Sequence, residues 1–342
     1  MKAVVKYGRQ PGQVELRDVP VPEPGPGQVL VRVAACGICG SDLHAYLSDP
    51  GYEFVAVPVV LGHEFSGTVE AVGQGVSDLA PGDRVVGLAI QGCGRCETCR
   101  SGSSHLCPSR RVHGLHHDGG MAEYTTVGQE HLVRVPDGVD LPAVALVEPL
   151  SVAVHAVVDR SRVRPGDLVV VSGPGPIGLL CALVARHAGG TVVVTGAQAD
   201  ATHRLPAAAR LGFPVLNVAE EPLSDGLRRL TGRSEADVWV EASGAGAALE
   251  AAAGSVRSGG VVTVVGMYAH PVELFFTSLV RKEVDVLFSY ASHRANYLRA
   301  LALVAGGAID PTPLADPFPL SRASEAFAAA LEKRVVKPVL LP

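Results

Sequence analysis

Cys39, Ser41, Asp42 and His44 fall within six residues, and Gly62-His63-Glu64 follows about twenty positions later. Together they offer a thiolate, a hydroxyl, two carboxylates and two imidazoles. One Cys, one His and one carboxylate with a hydroxyl beside them suit a catalytic zinc that keeps a position open for substrate. Gly37 and Gly40 flank Cys39 and would let the backbone turn tightly around whatever the sulfur holds. Any one of these residues alone reads equally well as a core or surface side chain; the pairing of the two clusters favours a metal.

A second cluster is Cys93-x2-Cys96-x2-Cys99-x7-Cys107. Four thiolates at this spacing in a Gly-rich stretch form a closed tetrahedral zinc site with no place for substrate, so its role is structural. Such a site clamps a loop that has too few apolar residues to order itself. His105, His113, His116 and His117 lie nearby and read mostly as solvated loop residues. Glu148, at the start of an apolar helix, is either a further metal ligand or a surface carboxylate favoured by the helix N-terminus.

A third motif is Gly173-Pro174-Gly175-Pro176-Ile177-Gly178. It follows the apolar run Leu168-Val169-Val170-Val171 and opens the helical stretch from Leu179 to Ala185. In that strand–turn–helix context the glycines, Pro176 and Ile177 form a dinucleotide turn, with the pyrophosphate on the helix N-terminus. Cys181 inside the helix reads as core.

The elements that must position these groups fall into two patterns. Residues 1 to 35, and the stretch from Gly62 to Leu88, alternate in period two between Pro and Gly turns, which predicts antiparallel β structure. From 165 the pattern becomes βαβ. Strands are expected at Leu168–Val171, Thr191–Thr195, Pro214–Asn217, Ala236–Glu241, Gly260–Val265 and Val284–Phe288, the six of a complete dinucleotide sheet. The tail predicts helices at Tyr297–Val304 and Ser324–Leu331 and a last strand at Lys337–Leu341.

Composition sets the bounds. The 342 residues suffice for about two domains, and 47% are apolar. With 29 Lys and Arg against 34 Asp and Glu the net charge is −5, and no basic patch for nucleic acid appears. No signal peptide is read at Met1–Lys6, and no membrane span is expected. Seven cysteines, four of them clustered, point to metal ligation in a reducing, cytoplasmic setting.

With these residues in view, the chain resembles the zinc-containing medium-chain alcohol dehydrogenases, and within them the polyol branch of sorbitol, butanediol and threonine dehydrogenases. The resemblance rests on Gly62-His63-Glu64-x2-Gly67-x5-Gly73, the four-Cys lobe, Glu148-Pro149 and the Gly-rich turn, in this order, and spans essentially the whole chain. It implies an α/β fold in two parts. A GroES-like antiparallel β catalytic domain would come from residues 1–150 and 291–342, with the structural zinc lobe at about 91–109. A Rossmann doubly wound parallel sheet would occupy residues 151–290, and the active site would lie in the cleft.

The resemblance further implies that Cys39, His63 and Glu64 hold the catalytic zinc, and that Glu148 binds it directly or through water. That makes two zinc ions per chain with the Cys93, Cys96, Cys99 and Cys107 site. Ethanol-type relatives carry Cys where Glu148 stands. Asp42 would hold the His ligand, and Ser41 and His44 would relay the proton. The implied reaction moves a hydride between a secondary alcohol of a polyol, cyclitol or sugar-like substrate, or the matching ketone, and NAD(P). The implied assembly is a homodimer or homotetramer through the edge strand Val284–Phe288. A catalytically altered relative that only binds nucleotide, or a zinc-stabilised structural protein, is the alternative; the presence of Cys39, Glu148 and the Gly-rich turn argues against both.

Two departures from the family pattern matter. Family members usually carry Asp after the second nucleotide-domain strand, where this chain has Thr195-Gly196. Without that carboxylate, Thr195, His203 and Arg204 are free to meet a 2′-phosphate, which favours NADP. Asp200 on the longer loop could instead return to the ribose and favour NAD, or both cofactors could be accepted. The second departure is Ser289, where sorbitol dehydrogenase has Arg, which places sorbitol itself in question.

Overall fold

Period-two burial is plain in the strand Tyr124–Gly128, whose residues alternate between buried and half-buried, and it gives way to full burial in Leu168–Ser172. The first is the signature of a sheet with one wet face, the second of a central parallel strand covered on both faces. The computed structural model describes all residues from Met1 to Pro342. It divides into two compact units: Met1–Ser151 with Ser292–Glu332 and Lys337–Pro342, and Val152–Ala291 with Lys333–Val336.

The first unit is built on a seven-stranded sheet and a three-stranded sheet. At the centre of the larger sheet Gln28–Gly37 pairs antiparallel with Glu64–Val72, with Tyr124–Gly128 and with the final strand Lys337–Leu341. In this register Gly37 lies opposite Glu64, and Cys36 opposite Leu340. The two ends of the chain are thereby stitched into one sheet beside the residues that could do chemistry. Val31, Phe65, Leu115, Met121, Phe327 and Leu340 pack into its core.

The second unit is a six-stranded, all-parallel sheet in the order Val215–Asn217, Thr191–Gly196, Leu168–Ser172, Ala236–Glu241, Val256–Val264, Asp285–Phe288. Numbered along the chain this is 3-2-1-4-5-6, the doubly wound dinucleotide-binding order. Trp239 fills its core, 1% exposed, and its indole N–H donates to Ser172 Oγ at 2.9 Å. The expected strands are all present; Val256–Val264 starts four residues early and carries a register shift against Ala236 and Val238. The tail helices are Arg294–Ala305 and Ala323–Leu331.

The helical run Leu141–Ser161 is long and apolar enough by composition to cross a membrane, yet 78% of its most apolar window is buried inside the protein. It is a core helix whose length the interrupting Glu148 and Pro149 disguise in the sequence.

Candidate active site

Cys39 caps the helix Gly40–Leu47, and its backbone N–H donates to Asp42 Oδ2 at 2.9 Å. This bond fixes the first turn and sets Cys39, Ser41 and Asp42 in place. His63 and Glu64 arrive on the paired strand. The ligand atoms of Cys39, His63 and Glu64 all lie within 4.8 Å of one another, with His63 and Glu64 buried. Ser41 Oγ is 3.3 Å from His63 Nε2. On the other side of the ring, His63 Nδ1 faces Asp42 Oδ1 at 3.8 Å, and neither atom has a hydrogen-bond partner. A small rotation closes this carboxylate–imidazole pair, which would leave Nε2 as the ligand nitrogen.

Glu148 stands outside that close group. It opens the helix Val147–Val154, is buried, and its Oε1 accepts from the Tyr297 hydroxyl at 3.3 Å. That hydroxyl also accepts from the backbone N–H of Ala89 at 3.0 Å. The reading of Glu148 as a surface carboxylate is therefore set aside.

A residue that sequence reasoning passed over completes the pocket. Lys337, 2% exposed, opens the last strand, donates to the Ile38 carbonyl at 2.9 Å and is in ion contact with Glu64. It also explains Gly37. A Cβ there would run into the Glu64 carboxylate and come within 3.0 Å of Lys337 Cε, so the residue is glycine for close approach and not for a turn. Gly40, by contrast, has open space around it and no left-handed backbone; the expected tight turn at that position is absent.

The electrostatics follow from burial. Burial alone would depress the His63 imidazole, but the Asp42 carboxylate and Cys39 sulfur raise it well above its usual range. Burial, then repulsion from Glu64, pushes the Glu148 carboxyl up to about 7. Burial likewise raises Asp42. Burial would lower Lys337; Glu64 reverses that and raises it. The pocket thus holds three buried carboxyl groups and a cysteine against one ammonium and one imidazole. A divalent cation among Cys39, His63 and Glu64 would offset this surplus, and the donor set is one that zinc accepts. The residues fit the ion.

His44 lies one turn beyond Ser41. Its Nδ1 is 2.7 Å from Asp49 Oδ2, its ring stacks on Tyr52 at 4.9 Å, and its side chain is 35% exposed. Two of the four histidines near the four-Cys lobe differ from expectation. His113 is fully buried, bridging His117 at 3.3 Å and Thr125 at 3.1 Å against the ring of Phe65, and His105 is buried too. These two rings belong to the packed interior and not to a solvated loop, whereas His116 and His117 are half-buried. Burial drives the His113 imidazole well below its usual range.

The sulfurs of Cys93, Cys96, Cys99 and Cys107 also lie within 4.8 Å of one another, with Cys96 and Cys107 at 3.8 Å. A tetrahedral zinc with Zn–S of about 2.3 Å requires S···S edges of about 3.8 Å. Backbone N–H groups of Arg95 and Cys96 lower the Cys93 thiol to about 6, while desolvation and Cys96 push Cys99 up to about 12. Four sulfurs so close cannot all ionise without a cation. This site fits zinc as well.

In the nucleotide unit, the Gly-rich turn forms as expected. Gly173 has φ +95°, and a Cβ on Gly178 would collide with the Gly173 carbonyl. At Gly175 the only atom a Cβ would approach is Arg204 Nη1, at 3.8 Å. The helix Pro176–His187, carrying Pro176, Ile177 and Gly178 in its first turn, starts there with no side-chain cap. This open cradle fits a pyrophosphate. Arg204 Nε is buried without a hydrogen-bond partner. Thr195 is buried, and Gly196 ends its strand with 3.0 to 3.1 Å from a would-be Cβ to Pro174 and Leu205. Asp200 is already engaged: its Oδ2 accepts from the Ala197 N–H at 3.2 Å, and its Oδ1 meets Lys333 Nζ at 3.1 Å.

Comparison with known proteins shows the family. The alcohol dehydrogenase GroES-like domain family matches residues 25–137, and the zinc-binding dehydrogenase family matches residues 176–306. A sorbitol dehydrogenase from Halalkalibacterium halodurans is 37% identical, covering 100% of this chain and 99% of its own. Among solved structures, a putative zinc-binding dehydrogenase from Sinorhizobium meliloti 1021 bound to NADP is 33% identical with a TM-score of 0.90, covering 100% of this chain and 99% of that one. An alcohol dehydrogenase from E. coli CFT073 complexed with NADH is 27% identical with the same TM-score of 0.90, and covers 100% and 99%.

Proposed function

Because the chain belongs to the zinc-binding alcohol dehydrogenase family, and is therefore an oxidoreductase of small molecules, we propose that it is a zinc-dependent enzyme that moves a hydride between a secondary alcohol of a polyol, cyclitol or related sugar-like molecule and NAD(P). The observation that carries this reading is the close group of half-buried Cys39 with buried His63 and Glu64, and Ser41 beside it. In this reading the unit built from both chain ends is catalytic and the all-parallel unit binds the nucleotide.

Cys39, His63 and Glu64 would hold the catalytic ion, with Glu148 in reserve behind them, and Cys93, Cys96, Cys99 and Cys107 a structural one. Zinc bound among the first group supplies the Lewis acidity that makes a hydroxyl acidic, and a bound nicotinamide supplies the hydride acceptor. The protein supplies the rest. Asp42 orients His63. Lys337 holds Glu64 and keeps its charge compensated. Ser41, on the first turn of its helix, would accept the proton that the substrate hydroxyl gives up while releasing its own hydroxyl proton outward toward His44. His44, half-exposed one turn later with Nδ1 tied to Asp49, is placed to pass a proton to solvent.

NADP is the favoured nucleotide in this proposal. Gly196 offers no carboxylate to repel a 2′-phosphate, Asp200 is committed to Lys333, and the buried Arg204 Nε lacks a partner beside the Gly-rich turn. The kcat/KM ratio for NADP over NAD in wild type and Arg204→Ala tests this. A wild type that prefers NAD tenfold or more, with a ratio Arg204→Ala does not move, fails it. A cytoplasmic setting is proposed from the seven free cysteines. A homodimer or homotetramer is proposed from the exposed edge of the parallel sheet. The decisive experiment on substrate is a screen of polyols, cyclitols and diols with both nucleotides; no turnover with any secondary alcohol would refute the assignment.

A further inference from the structure

The segment from Ala197 to Arg204 contains one carboxylate, Asp200, and two cations within its reach. One is Arg204, whose charge Asp200 stabilises against the effect of burial. The other is Lys333, from the loop Lys333–Val336, which packs with this unit although the chain on either side of it does not. Asp200 is 7% exposed, and both its oxygens are engaged, one by Lys333 Nζ at 3.1 Å and one by the Ala197 N–H at 3.2 Å. Arg204 is left with a buried, unpartnered Nε and with Nη1 3.8 Å from the position of a Gly175 Cβ, at the start of the pyrophosphate cradle.

Two cations around one carboxylate leave a net positive charge in this segment, with Arg204 Nη1 beside Gly175. Without Lys333 the balance changes in two ways that act together. Asp200 becomes an uncompensated anion, which repels a second anion in a site partly shielded from water. Its nearest remaining cation is then Arg204, and a carboxylate–guanidinium pair would occupy the donors a phosphate needs.

We propose that Lys333 is a specificity-determining residue for the nucleotide: by holding Asp200 it keeps Arg204 available to the 2′-phosphate of NADP. The inference rests on the reading of Arg204 as the phosphate donor. Lys333 acts through Asp200 and is a positioning residue.

The test is steady-state kinetics with NADP and with NAD, one good alcohol being held saturating, in wild type, Lys333→Met, Lys333→Arg, Asp200→Asn, Arg204→Ala, and the doubles K333M/D200N and K333M/R204A. Lys333→Met should raise KM for NADP tenfold or more, with kcat and the KM for NAD within about twofold. Lys333→Arg should stay close to wild type. K333M/D200N should recover most of the NADP affinity, because the repelling charge is gone, and K333M/R204A should be no worse than Arg204→Ala alone, since both act through one contact. Lys333 is 41% exposed, and Lys333→Gln serves as a second truncation should the Met variant aggregate. If Arg204→Ala lowers NADP use and Lys333→Met leaves KM for NADP within twofold, the Lys333 inference is wrong while the phosphate site stands. If Lys333→Met weakens both nucleotides equally and Asp200→Asn does not restore them, the residue is merely structural and the inference again fails. If Arg204→Ala itself leaves the NADP to NAD ratio unchanged, the underlying reading falls first.

Discussion

Lys337 and Glu64 form an ion contact in which the two side chains are 3% and 1% exposed. They come from the last strand of the chain and from the strand that follows His63. Breaking a buried pair by removing one partner costs about 3–5 kcal/mol, because the other charge is left behind. Lys337→Met should therefore destabilise the zinc-free protein by about that amount. The zinc-loaded protein should lose less, since the ion compensates Glu64. Thermal melts with and without chelator check both; a loss under 1 kcal/mol (a fivefold change in equilibrium constant) without zinc would contradict it.

Much of this site is legible in the sequence, and what is not has a common cause. The ligands Cys39, His63 and Glu64 and the four-Cys lobe are carried by short contiguous motifs, and so is the Gly-rich turn. Lys337 is 299 positions from Ile38, whose carbonyl it binds, and Tyr297 is 149 positions from Glu148. Only the sheet register and the tail helix bring them together, and no local pattern announces that. Lys337 also reads as an ordinary strand-edge lysine until its burial is known. His113 misleads for the opposite reason: it sits among Gly and charged residues like a loop residue, yet packs on Phe65 beneath the site. Asp200 needed loop geometry, which follows from the reach of Lys333 and not from spacing.

Asp237 sits near the start of the strand Ala236–Glu241, accepting from Arg233 and Arg257 at 2.7 and 2.6 Å and from the Leu168 N–H at 2.7 Å. Partial burial works against ionisation, but these donors hold its carboxyl well below the usual carboxylate range. A depressed folded value means that the stability it brings is fully present above the unfolded value of about 3.9 and disappears as pH falls through the folded one. Asp237→Asn should cost about 1–2 kcal/mol at pH 7, since both arginines are half in solvent. Urea melts at pH 7, 5 and 3 should show the gap between wild type and variant shrinking only at the lowest pH. A gap independent of pH would rule out the ionic origin.

The edge strand Asp285–Phe288 leaves Phe288 69% exposed, and Phe275, Phe276 and Val280 in the same unit are 75%, 63% and 71% exposed. An apolar edge of this kind is an aggregation hazard unless paired. Wild type should sediment as a dimer or tetramer, and Phe288→Glu should shift it toward monomer. A wild-type monomer at micromolar concentration would overturn the assembly proposal.

Cys96→Ser or Cys99→Ser should release one zinc per chain and open the lobe around residues 91–109 to protease, with loss of solubility. The mechanism asks nothing of this lobe beyond its fold, so the fraction that remains folded should keep turnover. A variant that holds its zinc and resists protease like wild type would show that the four sulfurs do not form the clamp.

The central claim, a catalytic zinc held by Cys39, His63 and Glu64 apart from a structural one, is tested most directly by metal content and turnover measured on the same samples of wild type and Cys39→Ser. The account expects about two zinc ions per wild-type chain and about one in the variant, with an unchanged circular dichroism spectrum and turnover lost. A Cys39→Ser protein that keeps wild-type turnover in metal-free buffer, or a fully active wild type with one zinc per chain, would contradict it.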